Sequence, residues 1–177
     1  GHQRDGTQAP QPGSRLCQHA HDIAQAQPDV REVLARLGKL DILVNNAGSS
    51  IRARPEALSA ADWEWVLRTN LTSTFLMSQA AHPLLKREGG KIVNIGSISA
   101  LISNVPQDQS VYNASKAAVH MLSQSLGSEL AKYNIRVNTI APGYIETEMT
   151  AGGLANPDWA PVWDEMTPMR RVAKPEE

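Results

Sequence analysis

The 177-residue sequence predicts an α/β fold built on a doubly wound parallel sheet. Three observations carry that expectation. Apolar runs of strand length alternate with longer segments of helical period, in the order helix, strand, helix, strand, helix, strand. The helical segments are long enough for the right-handed crossovers that parallel neighbours require. Each strand run ends in small or polar residues, and in open α/β sheets ligands bind beyond the carboxyl ends of the strands.

The elements follow in chain order. Residues 1–15, rich in Gln, Gly and Pro and without apolar period, read as disordered or foreign to the fold, which leaves 16–177 for one partial domain. From Asp29 to Leu37, Val30, Val33, Leu34 and Leu37 recur at helical spacing, and Gly38 supplies a stop. Leu40 to Val44 is nearly all apolar, as a strand buried on both faces requires, and Asn45-Asn46-Ala47-Gly48 turns away from it. Ser59 to about Lys86 reads as helix, capped by Ser59, bent near Thr69 and Asn70, with Trp63, Val66 and Leu67 on one face. Ile92, Val93 and Ile95 form a second strand with Ser97 at its end. A loop containing Pro106 leads into a helix whose stripe of Ala114, Ala118, Met121, Leu122 and Ser125 would lie close to a sheet. Ile135, Val137 and Ile140 form a third strand, ended by Pro142-Gly143.

Composition removes several classes of function. The formal charge is −1 with no block of like charges, so nothing favours a nucleic acid or an anionic membrane as partner. The longest apolar runs fall far below the ~18 residues of a membrane span, and no signal peptide opens the sequence. The lone Cys17 forms no internal disulfide and fits a reducing compartment, so the cytoplasm is the expected location. His19 and His21 form an HxH pattern, but no further Cys, His or acid stands at ligand spacing, and no metal is expected. His82 and His120, on helices, read as surface or core residues.

The segment SVYNASKAAV places a phenol and an ammonium, Tyr112 and Lys116, at i and i+4 on one helix face. Alone, that spacing arises by chance in many chains. Here it follows NNAG after a buried strand, TNL inside a helix and a serine at a strand end, and it precedes PGYIET after the last strand. In that order the set resembles the short-chain dehydrogenase/reductase family over roughly residues 29–177, and implies a Rossmann-like fold. The stretches PQDQSVYNASK and TPMRRVAKPEE are similar to polyol and ketose dehydrogenases of galactitol, arabinitol or sorbose type.

The resemblance implies a catalytic tetrad of Asn70, Ser97, Tyr112 and Lys116 serving an oxidoreductase that interconverts a secondary alcohol and a ketone. Tyr112 would be the general acid or base. A free phenol near pKa 10 is a weak base at neutral pH, and Lys116 would lower it while also holding the nicotinamide ribose. Ser97 would orient the reacting oxygen, with Ser99 the alternative, and Asn70 would hold a water linking Lys116 to solvent. The implied cofactor is NAD or NADP. Asn45, Ala47 and Gly48 would floor the adenine ribose, while Pro142, Gly143, Ile145 and Thr147, beside Tyr112 and Lys116, would meet the nicotinamide half. Asp22-Ile23 is a further candidate at the adenine. Residues 148–170, with Trp159, Trp163, Leu154, Val162 and Met166 on one side, would form a substrate lid, a subunit contact or core. The resemblance also implies a small-molecule substrate and a homo-oligomer, dimer or tetramer.

Three family features lie outside this sequence: a glycine-rich TGxxxGxG turn, the strand whose last residue selects NAD or NADP, and a final strand. Pro175-Glu176-Glu177 reads as the first turn of a further helix. Two expectations follow. Either the sequence is an internal piece of a longer reductase, supplying strands 4 to 6, or it is a truncated protein that associates with partners without catalysis. In both, strand 4 is left with an open edge, and nucleotide affinity of the piece alone is expected to be weak.

Overall fold

The computed structural model describes residues 38–177 together with 32, 35 and 36. Glu32, Ala35 and Arg36 are helical, inside the helix expected before Gly38. The expected apolar positions of that helix, the 1–15 segment, Cys17, His19, His21 and Asp22-Ile23 lie outside the described residues.

Among the described residues three parallel strands form one sheet: β1 (Ile42–Asn45), β2 (Gly90–Ile95) and β3 (Ile135–Ile140), in the order β1-β2-β3. Ile42 pairs with Lys91 and Gly90 with Ile135, so the carboxyl ends align along one rim. β1 is an edge strand among the described residues.

The crossover from β1 to β2 contains α1 (Ala60–Leu67) and α2 (Ser73–Glu88). Ser59 caps α1, its hydroxyl accepting from the Asp62 amide at 3.0 Å. Between the two helices, Arg68–Thr72 forms a π-helical turn at the bend expected near Asn70. Val66 is sealed, whereas Trp63 stays on the outer side at 39 % exposure, contrary to the face expected for it. The crossover from β2 to β3 is α3 (Ser110–Leu130), preceded by a 3₁₀ turn at Ile98–Ala100. Beyond β3 come α4 (Glu148–Leu154) and α5 (Ala160–Met166).

The core lies between one sheet face and α2 with α3. Ala81, Leu85, Ile92 and Ile135 form its sealed cluster, with Leu43 and Val137 packed against it. The face of α3 turned inward is not the expected one. Val111, Ser115, Val119 and Ser123 are buried, while Met121 is 60 % exposed and Ala114 and Ser125 face solvent. The reason is that the two serines satisfy themselves: Ser115 Oγ donates to Tyr112 O and Ser123 Oγ to Val119 O, each at 2.7 Å. A serine so bonded packs like an alanine and keeps one lone pair for the core.

That lone pair is used. Asn45 Nδ2 donates to Asn94 Oδ1 at 2.8 Å and to Ser78 Oγ at 3.2 Å, while Asn94 Nδ2 donates to Ser123 Oγ at 2.8 Å. This buried polar chain runs from α2 across β1 and β2 to α3 and fixes their register near the carboxyl rim. The opposite sheet face displays Ile42, Val44 and Ile140, each about half exposed.

Candidate active site

Lys116 leaves the sheet-facing stripe of α3 and reaches over the end of β2, where Nζ donates to Ile95 O at 2.7 Å. It is 4 % exposed, and this burial pulls its pKa down from 10.5 to about 8. The i, i+4 spacing sets its ammonium 5.7 Å from the Tyr112 ring centroid.

Tyr112 departs from expectation in one respect. Burial raises its pKa, and a hydrogen bond with the Ser97 side chain offsets this only in part. The Lys116 ammonium, drawn to the Ile95 carbonyl, does not outweigh that burial, so the phenol is not brought below its ordinary value as expected. Tyr112 is therefore held protonated at neutral pH.

Of the two candidate serines, Ser97 is the one whose side chain pulls the phenol's pKa down against its burial. It sits at the end of β2 in extended conformation, capping the 3₁₀ turn by accepting from Ser99 N at 3.0 Å. Ser99 Oγ instead accepts from Gln109 Nε2 at 3.3 Å. Behind Ser97, His120 Nε2 accepts from the Ser97 amide at 3.4 Å. Burial, then the Lys116 charge, lowers the His120 pKa, which keeps the ring neutral and able to accept. Its ring fills the space that a Cβ on Gly96 would need.

Asn70, in the π-helical turn, is 1 % exposed. Its Oδ1 accepts from Ser49 N at 2.8 Å, and Nδ2 donates to Ser49 O at 2.9 Å and Ser115 Oγ at 2.8 Å. The carboxamide thus clasps the loop after β1 to α3. A Cβ on Gly48 would come within 3.4 Å of Lys116 Nζ and 3.6 Å of Asn70 Oδ1, so the loop passes close over both.

These groups border a cleft of about 350 Å³ beyond the carboxyl ends of the strands. Ser97, Tyr112, Lys116 and Gly48 line it, as do Pro142, Gly143, Ile145 and Thr147. Asn45 points into the core instead, while Ala47 and Asn70 lie outside the cleft wall. Pro142 O accepts from Ile98 N at 3.0 Å, and Thr147 caps α4 in a reciprocal bond with Thr150. Ile145 bridges to Ala173, which returns the chain to the cleft.

In the lid segment Trp163 is 1 % exposed. It stacks on Tyr144 with centroids 4.5 Å apart and lies over Gly153, where a Cβ would collide with the indole. Arg52, Asn104, Gln107 and Tyr144 also line the cleft and went unmarked in the sequence. Their only signal was position, in loops following β1, β2 and β3. Among the described residues no cluster of His, Cys, Asp or Glu could hold a metal ion, and no helix is long and apolar enough to cross a membrane.

Comparison with known proteins agrees with this geometry. Residues 12–177 match the family model described as enoyl-(acyl carrier protein) reductase. The chain is 46 % identical over 138 residues to galactitol 2-dehydrogenase of Rhizobium johnstonii, covering 77 % of this chain and 54 % of that protein. It is 42 % identical over 144 residues to ribulose-forming D-arabinitol 2-dehydrogenase of Scheffersomyces stipitis, covering 79 % and 52 %. Among solved structures, a gluconate 5-dehydrogenase from Burkholderia cenocepacia in complex with NADP and tartrate superposes with TM-score 0.83 at 34 % identity, over 88 % of this chain and 61 % of that one. A short-chain type dehydrogenase/reductase from Mycobacterium marinum gives 0.84 at 34 % identity, over 89 % and 61 %. The chain spans about half the length of the curated relatives it matches. The fold, the family-model match and these identities agree: the chain belongs to the short-chain dehydrogenase/reductase family.

Proposed function

We propose that the protein is an NAD(P)-dependent oxidoreductase that interconverts a polyhydroxy secondary alcohol and the corresponding ketone. The observation that carries this reading is the convergence of the Tyr112 phenol, the Ser97 hydroxyl and the Lys116 ammonium on one cleft at the strand ends. The names of the galactitol and arabinitol dehydrogenases support the substrate class, and the NADP-bound relative supports the cofactor.

The residues present fit such a cofactor. A Cβ on Gly143 would meet only Ile98 Cδ1, at 4.0 Å, so the protein's own packing does not explain the missing side chain. A close-lying ligand does. Lys116 would hold ribose hydroxyls, with Gly48, Pro142, Gly143, Ile145 and Thr147 lining the same space. The bound nicotinamide supplies hydride exchange at carbon; the protein supplies orientation and the proton.

In the reducing direction, Ser97 and Tyr112 together hold the substrate oxygen. Tyr112, protonated because it is buried, donates its phenolic proton to that oxygen as negative charge develops there. The Lys116 charge below the ring then stabilises the phenolate left behind. In the oxidising direction Tyr112 must first lose its proton, so alkaline conditions favour it.

Replacing Tyr112 by Phe removes the acid and keeps the ring. The expected result is a loss of turnover on the order of 10²-fold or more, read from nicotinamide absorbance with paired polyols and ketoses. Turnover within a few-fold of the parent would sink the reading.

A further inference from the structure

The charges in the cleft are one-sided. Among the described residues its walls carry two cations, Lys116 and Arg52, and no aspartate or glutamate. Lys116 is occupied by the Ile95 carbonyl. Arg52 has no carboxylate partner among the described residues. Its guanidinium stands 5.0 Å over the Trp159 ring, and its one hydrogen bond among the described residues is a long one, Nη2 to Met149 O at 3.5 Å. An arginine so placed is oriented by an aromatic face while most of its donors stay unspent.

A second, independent donor stands on the same wall. Trp159 touches Trp163, whose indole N–H donates to Gln107 Oε1 at 3.0 Å. An indole nitrogen only donates, so this bond assigns the amide: Oε1 faces the indole and Nε2 faces away. Gln107 is 5 % exposed, and its Nε2 has no acceptor among the described residues, yet it is not sealed from solvent. Gln107 lines the cleft, so this amide nitrogen is a donor left available to whatever occupies it.

Resting on the dehydrogenase reading, we propose that Arg52 and Gln107 form the recognition wall for a carboxylate on the substrate, so that the protein acts on a polyhydroxy acid rather than a neutral polyol. The planar guanidinium suits a carboxylate's two oxygens, and the Gln107 amide donates to the same group or to the hydroxyl beside it. The aromatic pair Trp159–Trp163 holds both donors in place. Phosphate shares this chemistry, so the test separates a substrate carboxylate from a cofactor phosphate.

Calorimetric titration reads binding without turnover, using D-gluconate, its neutral counterpart D-glucitol, and NADP⁺ as probes. The expected result is that gluconate binds more tightly than glucitol, with an affinity that falls as salt rises. Arg52→Gln should weaken gluconate on the order of tenfold or more and leave glucitol and NADP⁺ unchanged. Gln107→Leu should weaken gluconate less, and Arg52→Lys should retain part of the affinity because charge remains without the fork. Circular dichroism confirms that each variant is folded. Equal affinity for gluconate and glucitol, undetectable gluconate binding, or an Arg52→Gln variant that binds gluconate normally would each overturn the proposal. So would a loss confined to NADP⁺. Gluconate binding with no oxidation of any alcohol would refute the dehydrogenase reading and leave the carboxylate wall standing; Tyr112-dependent turnover without anion preference would do the reverse.

Discussion

The indole nitrogen of Trp163 donates to Oε1 of Gln107 at 3.0 Å, joining residues 56 positions apart. The bond links α5 to the loop that enters α3, so the segment after β3 and the helix bearing Tyr112 share one wall of the cleft. Tyr144 strengthens the link by stacking on Trp163 and accepting from Asn104 Nδ2 at 3.0 Å.

Trp163→Phe keeps an aromatic ring against Tyr144 and removes the N–H together with part of the buried bicycle. Gln107 Oε1 then loses its partner in a site that is 5 % exposed. The expected cost is about 1–2 kcal/mol of stability, measured by urea unfolding. The freed amide can also rotate, so KM should rise while kcat changes little. Unchanged unfolding and unchanged KM together would show that the amide does not depend on the indole.

A similar argument applies deeper in the core. Asn94 is fully buried, accepts from Asn45 and donates to Ser123. Asn94→Ala breaks both bonds and leaves a cavity between β1 and α3. The expected loss is about 2–3 kcal/mol. The Asn45 amide keeps only its 3.2 Å bond to Ser78, so the open edge strand β1 should lose amide-exchange protection before β3 does.

Local chemistry was legible in the sequence where a signal is carried within a few residues. Ile135–Ile140 is a strand as Ile135, Val137 and Ile140 predict, Ser59 caps a helix, and the helix bends at Asn70. What depends on partners distant in sequence was not legible. Ser115 and Ser123 read as polar, yet their hydroxyls bond to their own helix and admit them to the core. Asn70 closes the loop at Ser49, a partner its sequence position did not announce, because its turn brings the amide against two backbone groups and Ser115. Gln107 looked like an ordinary loop residue until the chain folded Trp163 onto it. In each case the side chain's role is set by a neighbour 21 or more residues away, which local periodicity does not encode, or by a short-range bond that disguises a polar residue as a packing one.

Lys116 gives the fold a calculable response to pH. In the unfolded chain the ammonium titrates at its ordinary 10.5, and in the folded protein burial brings this to about 8. Below about pH 8 both states carry the charge, and the folded state bears the full cost of burying it. Between about pH 8 and 10.5 the unfolded state holds more protons than the folded one, so stability rises with pH across that window. Above it both states are neutral and the cost is gone. The expected rise is on the order of 3 kcal/mol, read as the stability of the parent minus that of Lys116→Met by urea unfolding at successive pH values. Subtracting the variant cancels titrations that the two proteins share. A difference that stays flat from about pH 8 to 10.5 would mean that the bond to the Ile95 carbonyl compensates fully for burial, and that Lys116 remains an ordinary ammonium in the folded protein.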